Sequence, residues 1–117
     1  GQIAGTEGYC EAIRSGLHAA LGVAAVLEGK PLPSLPPETA FGALMAYATA
    51  CTTKGYQPMH VNFGIIPPLG SPVRNKRSRY AAYAARGTAA LSSYCADLEE
   101  CGLLSRKEAG HGSQFAV

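Results

Sequence analysis

Proline and glycine residues divide this chain into three stretches that are long enough to form helices. Gly29 and Pro31 end the first stretch, because glycine readily takes the left-handed conformation of a helix end and proline cannot continue a helix. The segment 31–37 contains four prolines and predicts an extended linker. Further prolines and glycines in residues 56–70 break any long element there. The pattern predicts a mainly α protein with three helices and a proline- and glycine-rich irregular segment.

Capping signals predict the limits of these helices. The first helix should begin after a glycine-rich run and end near Glu28. The second should carry the prolines 36–37 in its first turn and run to about Thr52. The third should use Ser71 as its N-cap, with proline at the next position, and run to about Cys101.

Apolar residues at intervals of three and four predict one buried face on each helix. On the first helix this face consists of Tyr9, Ile13, Gly16, Leu17, Ala20, Leu21 and Ala24. On the second it consists of Phe41, Leu44, Met45, Ala48 and Cys51. On the third it consists of Val73, Tyr80, Tyr83, Ala84, Leu91, Tyr94, Cys95 and Leu98. The tyrosines of the third helix are therefore interpreted as core residues rather than stacking platforms for nucleic-acid bases.

Large apolar side chains are scarce in this chain. The hydrophobic fraction is 47%, but much of it is alanine, and there are three phenylalanines, two methionines and no tryptophan. Because alanine buries little area, we expect the chain to rely on further polypeptide for part of its core, as a fragment would. The longest apolar stretch, residues 19–27, is interrupted by glycine and too short to span a membrane. Since no signal peptide is apparent either, we expect a cytoplasmic protein without a membrane partner.

The four cysteines indicate neither a metal site nor a disulfide framework. They are Cys10, Cys51, Cys95 and Cys101, and none forms a C-x-x-C pair or has a histidine at a spacing that suits zinc. We predict reduced thiols and no metal.

Positive charge is concentrated in one place. The net charge is only +2, yet Arg74, Lys76, Arg77 and Arg79 fall within six residues. Cations at the start of a helix oppose its dipole and need another reason to be there. One interpretation is contact with nucleic-acid phosphates, and the alternative is a solvated helix face.

The first twelve residues form a glycine-punctuated turn that leads directly into the first helix. Unpaired amides and the helix dipole favour an anion or a polarised carbonyl at such a position. An ordinary capped turn without a ligand is the alternative.

Two segments resemble known families. The pattern Gly1-Gln2-Ile3-x-Gly5-x-x-Gly8-Tyr9-x-Glu11-Ala12 is similar to the late flavin-binding segment of two related tRNA-modifying families. One comprises the folate- and FAD-dependent tRNA (uracil-5-)-methyltransferases, and the other the flavoproteins that install carboxymethylaminomethyl groups on wobble uridines. Residues 55–69, GYQPMHVNFGIIPPL, are similar to the methyltransferases' signature FQPMNANFGLLPPL, which has no counterpart known to us in the second family. Tyr56 stands where that signature has phenylalanine, and His60 where it has asparagine.

The methyltransferase resemblance implies site residues and domain limits. The residues implied to lie against the isoalloxazine and ribityl part of FAD are Gln2, Gly5, Thr6, Glu7, Gly8 and Tyr9. The basic run fits the same family, and within it the phosphates that it would contact belong to tRNA; its residues are Arg74, Lys76, Arg77 and Arg79. Residues 1–30 would end an α/β, Rossmann-like FAD-binding domain, and residues 31–104 would form a C-terminal helical region with the loop 55–69. Residues 105–117 lie outside the resemblance, and their glycines and polar residues without periodicity predict a disordered tail.

The resemblance also implies an activity for the intact enzyme. That enzyme transfers a one-carbon unit from methylenetetrahydrofolate to carbon 5 of a T-loop uridine in tRNA, using reduced FAD and electrons from NAD(P)H. This chain has no GxGxxG phosphate motif and no cysteine at the family's catalytic positions, so no catalytic residue is assigned. We expect a C-terminal segment that is inactive alone and partners the rest of the FAD-binding domain. A non-catalytic helical interaction module is the alternative.

Overall fold

The computed structural model describes residues 1–105 and shows a mainly helical chain. A short 3₁₀ helix, Gln2–Ala4, is followed by α1 (Tyr9–Glu28), α2 (Ala40–Thr49) and α3 (Lys76–Glu100). The predicted three-helix class is confirmed, and the described residues form no strand beyond one isolated bridge. The predicted tail lies, apart from Ser105, outside the described residues.

Helix α1 ends where glycine predicts that it should. Gly29 has φ 63° and its amide donates to the Val26 carbonyl at 3.2 Å. The Lys30 amide donates to the Ala25 carbonyl at 2.8 Å, so two of the last carbonyls of the helix are satisfied.

Helices α2 and α3 begin later than predicted, because other residues provide the N-caps. The side chain of Thr39 accepts from the Gly42 amide at 3.1 Å, which leaves the prolines 36–37 in a turn before α2. The side chain of Asn75 accepts from the Ser78 amide at 3.0 Å, so Ser71 is not the cap of α3. Helix α2 also ends at Thr49 rather than near residue 52.

All three helices contribute to a small core. Its buried apolar residues are Ala25, Phe41, Ala43, Leu44, Tyr94 and Leu98. The buried faces predicted for α2 and for the end of α3 are thus confirmed in part. The radius of gyration is 16.0 Å. A compact domain of this length would have about 13 Å, so the helices are arranged openly.

The buried face predicted for α1 is wrong for the part of the chain that the structure describes. Tyr9, Ile13 and Leu17 are 92%, 73% and 53% exposed. The side of α1 that meets the core instead carries Arg14, whose guanidinium lies 5.3 Å from the centre of the Phe41 ring. The regular spacing identified an apolar stripe, but within residues 1–105 that stripe has no partner.

Helix α1 is longer than the apolar stretch considered in the sequence. Tyr9–Glu28 has 20 residues and is long and apolar enough to cross a membrane, by length and composition only. The prediction that every apolar stretch is too short to span a membrane is therefore wrong for α1. A helix that packs inside a soluble protein meets the same criteria.

His18 on α1 makes the stability of this core depend on pH. Its ring packs edge-on against Phe41, with 6.1 Å between ring centres. Burial lowers the pKa of His18 below its ordinary value of 6.5, and the nearby Arg14 lowers it further. The unfolded chain therefore binds a proton at His18 more readily than the folded chain, so stability is complete above pH 6.5 and falls as the pH drops below it.

We expect the melting temperature, followed by far-UV circular dichroism, to fall between pH 7.5 and 5.5. His18→Leu keeps an apolar contact with Phe41 and should flatten that dependence, whereas the control His60→Gln should retain it. An equally steep dependence in His18→Leu would contradict the assignment.

Candidate functional site

The glycine-rich turn at residues 1–8 and the loop 55–69, called here the signature loop, lie against each other. The Met59 amide donates to the Gly5 carbonyl, and the Glu7 amide donates to the Met59 carbonyl, each at 3.2 Å. The Tyr56 hydroxyl also donates to the Gly5 carbonyl, at 2.6 Å. The fold thus joins the two segments that carry the family resemblance.

Gly5 is placed where a side chain would not fit. Its φ is 86°, and an added Cβ would lie 2.3 Å from Cε1 of Tyr56. Burial raises the pKa of Tyr56, and the neighbouring Tyr47 adds to the effect, so the hydroxyl stays protonated and able to donate. The hydroxyl by which Tyr56 departs from the family signature therefore has a partner in this chain.

Glu11 fastens the signature loop to the first turn of α1. Its Oε1 accepts from the Val61 amide at 3.2 Å and lies 3.9 Å from Nδ1 of His60. The pKa of Glu11 is lowered, first by its own backbone amide and next by the amide of Val61. The carboxylate therefore stays ionised next to His60, which lines the adjoining cavity.

A cavity of about 560 Å³ opens beside this junction. Its lining consists of Gln2, Thr6, Glu7, Gly8, Tyr9, Cys10, Glu11, Ala12 and His60. Within the described residues, Gly8 is the N-cap of α1 and offers no side-chain hydrogen bond, and the Glu11 carboxylate interacts with its own amide, so the helix amides before Glu11 have no side-chain cap. Such amides suit a polarised carbonyl or an anion.

Five of the six residues with a proposed cofactor role line this cavity, namely Gln2, Thr6, Glu7, Gly8 and Tyr9. Gly5 does not line it and instead faces the Tyr56 ring. The Thr6 side chain is 1% exposed and donates to the Gly1 carbonyl at 3.0 Å, so it shapes the turn.

The charges around the cavity limit what it can hold. Among residues 1–105, its lining has two carboxylates and no lysine or arginine. A diphosphate would therefore be repelled, whereas an uncharged ring system with carbonyl edges would meet apolar surface and helix amides. Within residues 1–105 no group of three or more His, Cys, Asp or Glu side chains could hold a metal ion.

The basic run divides into two environments. Arg74 precedes α3, and Lys76 and Arg77 lie in its first turn, all three exposed. Arg79 is half-buried and donates to the Val73 carbonyl at 3.3 Å. In the described part of the chain, ion pairs are formed by other residues, so the three exposed cations have no carboxylate partner there.

A second cavity, called here the Tyr80 groove, lies between the start of α2 and the middle of α3. It measures about 360 Å³ and is walled by Phe63, Tyr80, Tyr83 and Leu91, with Glu38 and Thr88 among its polar groups. The rings of Phe63 and Tyr80 are stacked, with centres 4.4 Å apart and planes 9° apart. Tyr80 is 38% exposed, so the prediction that it belongs to the core is wrong, while Tyr94, at 2%, is a core residue as predicted.

Comparison with characterised proteins assigns the chain to a family. It is 44% identical over 97 residues to the methylenetetrahydrofolate–tRNA-(uracil-5-)-methyltransferase TrmFO of Heliobacterium modesticaldum, a match that covers 83% of this chain and 22% of that protein. It is 48% identical over 95 residues to the TrmFO of Sphingopyxis alaskensis, covering 80% and 21%. The TrmFO of Bacillus pumilus is 45% identical over 86 residues, covering 74% and 20%. The chain belongs to the TrmFO family.

The chain spans about a fifth of the length of the TrmFO relatives it matches. No family model matches the sequence, and no solved structure matches it. The methyltransferase resemblance carried by the glycine-rich turn and the signature loop is confirmed by the relatives.

Two features of this TrmFO segment are not predicted from its sequence. Glu11 was noted only as part of the turn motif, although a carboxylate in the first turn of a helix is a usual partner for nearby amides. The stacking of Phe63 on Tyr80 joins residues with no regular spacing, and nothing in the sequence signals it.

Proposed function

We propose that this chain is the C-terminal segment of a TrmFO-type enzyme. The intact enzyme would transfer a one-carbon unit from methylenetetrahydrofolate to carbon 5 of a T-loop uridine in tRNA. Bound FAD, reduced by NAD(P)H, would supply the electrons for that reaction. The observation that supports this most directly is the junction of Gly5 with Tyr56 and Met59, because it places both family motifs at one cavity.

The role proposed for the cavity is to cover the ring portion of FAD. The first amides of α1 would donate to flavin carbonyls, and Tyr9 and Ala12 would offer apolar surface. Glu11 would keep the signature loop closed over this wall. The diphosphate would need groups from another part of the enzyme, since the lining has no cation.

The role proposed for the basic run is contact with tRNA phosphates. Arg74, Lys76 and Arg77 are exposed and lack carboxylate partners within residues 1–105, so they can pair with phosphates without breaking an ion pair. Arg79 is held by Val73 and should contribute less. These contacts would fix the position of the tRNA without reading its sequence.

The test is a chimera in which the matched residues of this chain replace their counterparts in the Heliobacterium modesticaldum protein. We expect bound flavin, read by absorbance, and methylation of a tRNA transcript that lacks the modification. A folded chimera without flavin or methylation would favour a non-catalytic helical module.

In the same chimera, Arg74→Ala/Arg77→Ala should weaken tRNA binding and reduce the slope of log K against log salt by up to about two. Flavin content should not change. The control Lys30→Ala/Lys54→Ala removes the same charge elsewhere and should leave the slope intact. Equal slopes in both double variants would show that the basic run is only a solvated surface.

A further inference from the structure

The Tyr80 groove combines aromatic faces, apolar depth and a few polar groups. Phe63 stacks on Tyr80 and is 48% exposed, and Tyr83 stands at 56° to Phe63 with ring centres 5.4 Å apart. The volume of about 360 Å³ falls in the range of small-ligand sites; these measure about 300–1,000 Å³. Phe63 and Tyr80 cover one face of each other, and the more than one third of each ring that stays exposed suits contact with a flat aromatic guest.

Close packing of the backbone gives the groove its floor. A Cβ on Gly87 would lie 3.2 Å from the Glu38 carbonyl oxygen, so the absence of a side chain lets α3 approach the start of α2. Within residues 1–105, Glu38 and Thr88 are the residues with hydrogen-bonding side chains, besides the tyrosines and Thr39, that line the same space. They could bond the donor and acceptor edge of a guest whose faces lie on the rings.

Two cations lie close to the Tyr80 ring, which lines the groove. Nζ of Lys76 lies 5.6 Å and the guanidinium carbon of Arg79 lies 5.8 Å from the centre of the Tyr80 ring. Arg74 and Arg77 are exposed and lie within three residues of these cations in the chain. A guest whose flat ring contacts the exposed aromatic surface of the groove therefore has cations nearby for its negative groups.

We propose that the Tyr80 groove binds one unpaired nucleobase of an RNA, with the basic run holding the flanking phosphates. Single-stranded RNA combines these chemistries, since its bases stack on aromatic side chains while its backbone follows a basic surface. The proposal rests on the tRNA contact proposed above. It adds a site that accepts a base only when that base is unpaired.

The test measures binding of the 117-residue chain to a short single-stranded RNA and to a duplex of equal length, over a range of salt. Tyr80→Leu keeps apolar volume but removes the ring, and should weaken single-strand binding about tenfold with an unchanged salt slope. Tyr80→Phe keeps the ring and should bind like the parent. Binding of the duplex should be unaffected by either change.

A second variant guards against a folding artefact. Ala84 is exposed on α3 and lines the groove, so Ala84→Leu fills the space while preserving the helix. It should weaken single-strand binding as Tyr80→Leu does, with unchanged circular dichroism. If both variants bind single strands like the parent while Arg74→Ala/Arg77→Ala lowers the salt slope, the stacking site is refuted and the phosphate contact stands. Absence of any salt-dependent RNA binding would refute both.

Discussion

Replacing Gly42 by alanine is expected to abolish the cooperative unfolding of the chain. Gly42 is buried in α2, and a Cβ there would lie 1.9 Å from the Pro36 carbonyl oxygen and 2.6 Å from Oγ1 of Thr39. Because the first of these atoms is backbone, the linker must move before the methyl group can fit. The expected loss combines overpacking with damage to the N-cap, and amounts to about 3 kcal/mol or more.

The matched control is Gly16→Ala on α1. An added Cβ there meets nothing within 4 Å, so only helix propensity changes. This variant should gain up to about 1 kcal/mol of stability. Urea denaturation followed by circular dichroism measures both. The interpretation of Gly42 would be wrong if its alanine variant unfolded at the same urea concentration as Gly16→Ala.

Replacing Gly5 by alanine is expected to separate the signature loop from the glycine-rich turn. The left-handed φ of 86° costs a side chain about 1–2 kcal/mol. The methyl group would also displace the Tyr56 ring, which lies 2.3 Å away, and break a hydrogen bond that contributes about 1 kcal/mol. The total expected loss is about 3 kcal/mol. Hydrogen exchange should accelerate at the Met59 and Glu7 amides, which form the bridge.

Two controls separate the contributions at Gly5. Gly55 has φ 61° and open space around it, so Gly55→Ala should show the backbone cost alone. Tyr56→Phe should show loss of the hydroxyl alone, about 1 kcal/mol. Equal effects of Gly5→Ala and Gly55→Ala on stability and exchange would mean that the contact with Tyr56 has no consequence.

The sequence predicted the helices well where one local signal dominated. Gly29 and Pro31 both predict that α1 ends at this point, and helix α1 ends there in the structure. Where two caps competed, local rules chose the wrong one. Asn75 is as good an N-cap as Ser71, and only the contacts of the folded chain decide between them.

The site was predictable in its parts but not in its assembly. The resemblance identified the turn around Gly5 and the loop around Met59 separately. Their contact joins residues more than 50 positions apart, as in the bond from Tyr56 to Gly5, and no periodicity reports such a distance. For the same reason, the spacing of apolar residues showed that α1 has an apolar stripe, but it did not show which polypeptide covers that stripe.

The signature loop is tied at both of its ends. Near its start Tyr56 is bound to the glycine-rich turn, and near its far end the Arg86 guanidinium donates to the carbonyls of Pro67 and Pro68. Between these ties, Phe63 rests on α3. If α3 moved at the Tyr80 groove, the signature loop, which is short and stiffened by prolines, would therefore transmit the movement to the wall of the other cavity. We therefore expect a ligand bound in one cavity to change the affinity of the other cavity for its own ligand, and the reverse effect to have the same size.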